Sequence, residues 1–392
     1  MNLRNLTLFI VLITCSITYT YAQEHVKYYR HMVFRASPYG NLMGRHQIDV
    51  KKVGNTTHFK IFKRKDGKTS KIEFWYRNKL TKGGYNRFGA IAGAASLNFK
   101  YEDNKIIRSY FDEQGKPMLN YWKVAVEEIE LDANGHKKSM TYKDLNGKRV
   151  EDSRGVWVMH WQVSKDGKEV IEERMGKDGK SRRFNNFLDF GRVKMIFDEH
   201  RLRWETWNID NNGNPINSEK RQVAGVYTTW DVNSLDEKQI TWVDTKGNPK
   251  NVEPFEVMKD NYGFCTEIYE HDSNGYTTGL LKFNTKGDIV TPKADRNVFK
   301  RNIYDYNGFL IDQRYFNADG IPSLNSNGVA RIEVVWNTSY LPIEVKYYGL
   351  DGKLKNKLSD GVALTKMKYD KNEQLIETKN FDHQGNEVVI EN

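Results

Sequence analysis

Acidic turns are the first residues in this sequence with the types and spacing to hold a ligand. Asp132 to Gly135, Asp272 to Gly275 and Asp305 to Gly308 each read Asp-x-Asn-Gly. Alternating oxygen donors are what a calcium loop uses, but such a loop also needs a Glu several residues on. Gly135 is followed instead by His136-Lys137-Lys138, which repel a cation, so these segments read as hairpin turns. His25, His31, His46 and His58 cluster early without metal-ligand spacing. His160 lies between Trp157 and Trp161, but on an alternating strand it faces away from both. Cys265 sits in the strand-like run Gly263 to Tyr269 with no His beside it, which fits a buried structural thiol. No Ser nucleophile elbow, Gly-rich phosphate loop or paired-His helix occurs. Glycosidase-type carboxylate pairs stay open, because the 51 acids offer many pairings and chain spacing does not decide among them. No catalytic, cofactor-binding or metal-ligating residue is therefore assigned, and no cofactor is expected.

The elements that would position any site come from an internal repeat. Tyr110-Phe111-Asp112-Glu113-Gln114-Gly115 recurs as Tyr315-Phe316-Asn317-Ala318-Asp319-Gly320, and again around Gly352 and Gly385. Weaker copies centre on Gly147, Gly179, Gly213, Gly247 and Gly287, and a degenerate first copy has Lys79 at the anchor place. The intervals are 32 to 36 residues, except one of 40. A second turn lies 12 residues before each anchor, with Gly at 67, 135, 167, 275 and 308. Gly supplies a positive φ, and the Asp or Asn bonds the local backbone, which is hairpin chemistry. Apolar or aromatic residues fill the place four before the anchor in nine of ten units, Phe316, Tyr348 and Phe381 among them, and Lys143 breaks the row. A second such row lies sixteen before it, with Phe99, Tyr304 and Trp336. Two rows in register predict two buried ring ladders along one core. The alternating segments Gly155–Val163 and Val329–Trp336 are read as a third strand preceding each hairpin. The fold expected is all-β: an elongated, solenoid-like or twisted array of about ten antiparallel hairpins over residues 61–392, preceded by a cap at 23–60.

One interval stands out. The unit between Gly247 and Gly287 carries the extra length, and insertions in repeats often hold the functional loop. Phe255, Tyr262 and Phe264 lie in it and are the candidate partner-contacting residues.

Tyr304-Asp305-Tyr306-Asn307-Gly308-Phe309-Leu310 resembles the Y-D-x-x-G-x-L core of the YD repeats of Rhs proteins. The hairpin alternation over roughly residues 60–390 also resembles bacterial MORN-like antitoxin repeats and WG-type β-repeats. The period near 33 departs from the shorter YD period. The resemblance implies an extended β-repeat scaffold and carries over no activity and no site residue.

The ends and the composition bound the compartment. Arg4, the apolar run Leu6–Ile13 and the small residue Ala22 form a signal-peptide pattern over residues 1–22. The run is too short to span a bilayer, and no later segment is long and apolar enough. Cys15 follows a loose lipobox whose Thr14 does not fit, so a lipid anchor there is the lesser alternative. Lys and Arg exceed Asp and Glu by 61 to 51, but the excess is spread along the chain. Diffuse charge of this kind suits a soluble β-surface rather than nucleic acid. Aromatic residues reach 13% against 38% for all apolar types, a surplus that could supply stacking platforms. The function expected is an exported, non-catalytic scaffold binding a glycan or a protein partner at the cell envelope, whether secreted, periplasmic or on the cell surface. The alternatives are an exported carbohydrate-active enzyme and an immunity or antitoxin-like partner.

Overall fold

The computed structural model describes residues 25–82, 91–184, 189–254, 262–291 and 299–390. Residues 1–22, expected to be a signal peptide, Cys15 among them, and Phe255 lie outside the described residues. The array is all-β, with 25 strands in one antiparallel sheet among the described residues. From His58–Lys63 onward the hairpins pair in chain order. Among the described residues the ladder is not closed into a barrel.

Each unit is built by its turns. In the turn 305–308 the Gly308 amide donates to Asp305 O (3.1 Å), and the Phe309 amide donates to the Asp305 carboxylate (2.8 Å). Gly308 has φ +92°, a region closed to most side chains. The carboxylates read as potential calcium ligands are thus spent on backbone amides, as at Asp132 and Asp272. Among the described residues no three His, Cys, Asp or Glu side chains gather around a cation site. In four of the five units whose second turn lacks glycine, Arg201, Leu235, Tyr340 and Glu373 take its place at φ 56° to 65°, a strain of roughly 1 kcal/mol or more each; in the fifth, Glu102 pairs with Lys105 across a two-residue turn. Three of these side chains reach other turns: Arg201 donates to Gly167 O (2.8 Å), Tyr340 stacks on Phe309 (4.5 Å), and Glu373 pairs with Arg77 and Lys79 (2.8 Å each). The degenerate first anchor has its own solution. Arg77 and Asn78, at φ 51° and 55°, make a two-residue turn, and Lys79 opens a short strand opposite Tyr76.

Two expectations are corrected. The alternating segments at 155–163 and 329–336 are the first strands of their own hairpins, Val158–Val163 and Arg331–Trp336, and not a third strand. The third element of a unit is instead a one-residue bridge after the anchor turn, such as Phe316 with Pro322 or Tyr348 with Leu354. The ladders also differ from expectation. Phe316 and Tyr348 are only half-buried, and a row of buried rings lies one residue earlier, at Phe74, Tyr110, Tyr142, Trp242 and Tyr315. Successive strand residues face opposite sides, so these expected rings lie on the outer face, whereas Ile209 and Val243 of the same row are buried with Trp207 and Ala224. The row sixteen before the anchor falls on β-bulges at Leu131, Phe197, Tyr304, Trp336 and Tyr369, which locally bend and twist the strand.

The outer rings are roofed by cationic side chains. Arg301 lies 5.8 Å from the Phe316 ring, Arg331 5.0 Å from Tyr348, Lys366 5.8 Å from Phe381, Lys60 3.4 Å from Trp75 and Arg149 4.4 Å from Trp157. The aromatic surplus and the diffuse basic charge are one feature: aliphatic stems cover rings while the charges stay wet. Phe316→Ala is therefore expected to cost about 1–2 kcal/mol, short of the full-burial range, and Tyr315→Ala more. Denaturant titration of both variants checks the order, and an equal or inverted order would refute this assignment of faces.

Candidate functional site

The segment 25–53, expected to cap the array, does more than cover an end. Strand β1 (His25–Met32) adds to the edge of β3 (His58–Lys63) and pairs on its other side with β2 (Gly44–Ile48). The β1–β2 hairpin closes through Val33 N to Met43 O (2.8 Å), and its tip bends at Ser37 to Gly40. This hairpin lies across the inner side of the array like a strap. Arg30 donates to Tyr306 O (2.6 Å) and stands over the Tyr306 ring (4.3 Å). His31 Nε2 meets Asn274 O at 3.2 Å. Arg45 pairs with Asp236, whose carboxylate also meets His46 Nε2 at 2.9 Å. At the tip, Ser37 donates to Glu172, and Lys137 donates to Pro38 O (3.0 Å) and Tyr39 O (2.6 Å). The first array hairpin also meets late units: Thr57 donates to Asn307 O (3.2 Å), and Tyr76 packs on Phe309 (5.6 Å). The array thus coils around the strap.

The lane sets carboxylates against the strap and also carries cations, with Glu127, Glu172 and Glu237 beside Arg108, Lys137 and Arg203. Burial lowers Arg35 to about 10, as does nearby Arg108, while Glu127 and Tyr110 act in the opposite sense. Burial also lowers Arg45 to about 10, against the pull of Glu237. Both guanidinium groups stay charged at neutral pH. Glu237 is pushed up to about 7 by burial; Arg203 and Arg45 oppose this, and Glu267 adds to it. Glu172 is the deepest acid, 1% exposed, and accepts from Ser37, Trp161 Nε1 (2.7 Å) and Arg174 Nε (2.6 Å). A buried carboxylate is tolerable only when its lone pairs are used in this way.

Of the candidate partner-contacting residues, Tyr262 is 36% exposed. Phe264 is not available to a partner. It is 1% exposed, packs edge-on against Trp242 (6.4 Å) and carries Lys282 over its ring (4.2 Å). Its carbonyl accepts from Val252 (2.8 Å), which pins the base of the long unit into the core. Cys265 is buried beside it and His160 is exposed, as their strand positions imply. The strap residues Arg30, Arg35, Ser37 and Arg45 were not legible as a site. The early histidines were the visible signal: His31 and His46 do come together (6.0 Å), against Tyr276 and Asp236.

No protein-family model and no curated protein matches the chain. Among solved structures, a porin-like protein from Bacteroides uniformis ATCC 8492 is similar at 11% identity over 66% of this chain and 86% of that one, with a TM-score of 0.23. At that level the likeness carries no argument about fold or function.

Proposed function

We propose that this chain is an exported binding scaffold at the cell envelope, and that the partner its inner lane fits is an extended, basic protein segment. The carrying observation is the strap itself. An Arg- and His-bearing β-hairpin lies in a lane of carboxylates and rings contributed by units from Glu127 to Tyr306. A surface that orders one such segment has the chemistry to order another, because extended peptides are held by backbone pairing plus spaced side-chain pockets. A protein partner is favoured over a glycan because many outer rings that would stack on sugars lie under Lys and Arg side chains. Export rests on the signal-peptide pattern of residues 1–22.

The test uses a labelled peptide of residues 27–48 and two full-length proteins. The double variant Arg30→Ala, Arg45→Ala loosens the resident strap and is expected to bind the peptide at least about tenfold more tightly than the parent, whose lane is filled. Equal, negligible binding to both proteins, with the β-sheet circular dichroism retained, would refute the lane as a recognition surface.

A further inference from the structure

Three successive hairpin turns and the tip of the strap meet in a cleft of about 230 Å³. Its walls include Tyr39, His136, Lys137, Gly167, Phe197 and Arg201. We propose that this cleft is a binding site for a small carboxylate carried on an apolar ring or sugar ring. The cleft lies at the strap-tip end of the inner lane and shares Tyr39 and Lys137 with it, but its test reads small-anion binding and does not depend on the function proposed above.

The argument starts at Gly167. A Cβ on this glycine would meet Arg201 Nη1 at 3.1 Å, His136 Nε2 at 3.2 Å and Arg201 Nη2 at 3.6 Å. The missing side chain lets the Arg201 guanidinium and the His136 ring close in over this turn, so two nitrogen-bearing groups converge on one wall of the cleft. Arg201 holds its place by donating to Gly167 O (2.8 Å). That bond uses one of the five guanidinium hydrogens, and the planar fork matches the two oxygens of a carboxylate. Arg201 occupies a turn place where other units have glycine, so the chain sets a cation at the rim between two neighbouring turns.

The charge balance also favours an anion. Lys137 is held well below the usual lysine range by burial, then by Arg108 and Arg35, while Glu127 and Glu172 offset this only in part. The residues lining the cleft include His136, Lys137 and Arg201 and no carboxylate, so an anion entering beside Arg201 meets no like charge on its walls. The aromatic walls set the second half of the specificity. Tyr39 and Phe197 lie 5.7 Å apart, and the Tyr39 ring also meets Trp161 at 5.8 Å. A ring beside the carboxylate gains apolar contact there, which a bare oxyanion lacks.

Calorimetric titration of the full chain with D-glucuronate, acetate, inorganic phosphate and D-glucose tests this. Glucuronate is expected to bind most tightly, acetate more weakly, and glucose not measurably. Arg201→Gln is expected to weaken glucuronate at least about tenfold, and Lys177→Gln, on a different turn, to leave it unchanged. If Arg201→Gln does not fold, Arg201→Lys keeps the charge without the planar fork and is expected to show a smaller loss. Phosphate binding as tightly as glucuronate would overturn the ring-bearing carboxylate and leave a general anion patch. No binding of any anion, or binding untouched by the foldable Arg201 variant, would overturn the site.

Discussion

Replacing Glu172 by Ala is expected to destabilise the protein by about 3–5 kcal/mol, the usual cost of stranding one member of a buried ion pair. Glu172 and Arg174 are each 1% exposed. Arg174 also donates to Phe184 O and lies 4.7 Å from the Phe184 ring, so its guanidinium cannot swing to water without breaking the core around it. The substitution also removes the acceptor of the Trp161 indole N–H and of the Ser37 hydroxyl. The second consequence is local: the strap tip at residues 33–43 loses its anchor. Denaturant titration reads the first effect, and hydrogen exchange of that segment reads the second. Glu172→Gln keeps the shape and an acceptor oxygen and is expected to lose less. A cost below about 1 kcal/mol for the alanine variant would mean that water reaches Arg174, and the lane would then not be the dry, charge-matched channel described above.

Stability is expected to fall in acid through His58. This residue is fully buried, and Thr56 O accepts from its Nδ1 (2.7 Å). Nε2 is buried with no hydrogen-bond partner, so a proton there would meet no acceptor. The ring also stacks near Trp75 (6.2 Å). Burial lowers its pKa from 6.5 to about 4, the Thr56 carbonyl works against this, and Lys60 and Arg30 add to it. A group depressed on folding stabilises above its unfolded pKa and loses that contribution as pH falls through the folded value. The window is therefore pH 6.5 down to about 4, and the loss is on the order of 2–3 kcal/mol. His31 and His271 are lowered first by burial too, and act in the same direction. Glu237 acts in the opposite direction: raised to about 7, it stabilises below 4.5 and loses that contribution as pH rises. Comparison with His58→Phe isolates the histidine, because Glu237 is common to both proteins. The parent is expected to lose that extra 2–3 kcal/mol over this window relative to the variant. Parallel pH profiles for the two proteins would mean that His58 is already solvated in the native state.

The turns were legible from sequence because their chemistry is local. An Asp or Asn that caps the amides two and four residues on, followed by a residue at positive φ, closes a hairpin without help from the rest of the chain. Repetition of that signal at 32 to 36 residues was enough to define an all-β array and to locate its units. Even four of the five second turns without glycine hold a positive φ at the repeat position, at Arg201, Leu235, Tyr340 and Glu373. The faces were not legible. Phe316 and Tyr315 are neighbours of similar type, and alternation alone says only that they point in opposite directions. Which of them is deep depends on what covers each side, and the cover comes from a distant segment. Arg30 meets Tyr306 across 276 positions, Arg45 meets Asp236 across 191, and Ser37 meets Glu172 across 135. No periodicity encodes such pairs, because the loop between two residues can be of any length at little extra entropic cost. The sequence therefore determined the hairpin unit and its repetition. Only the tertiary structure decided that the array coils around its own N-terminal strap, because that depends on burying a basic segment against acids from separate units, Glu127, Glu172 and Asp236 among them.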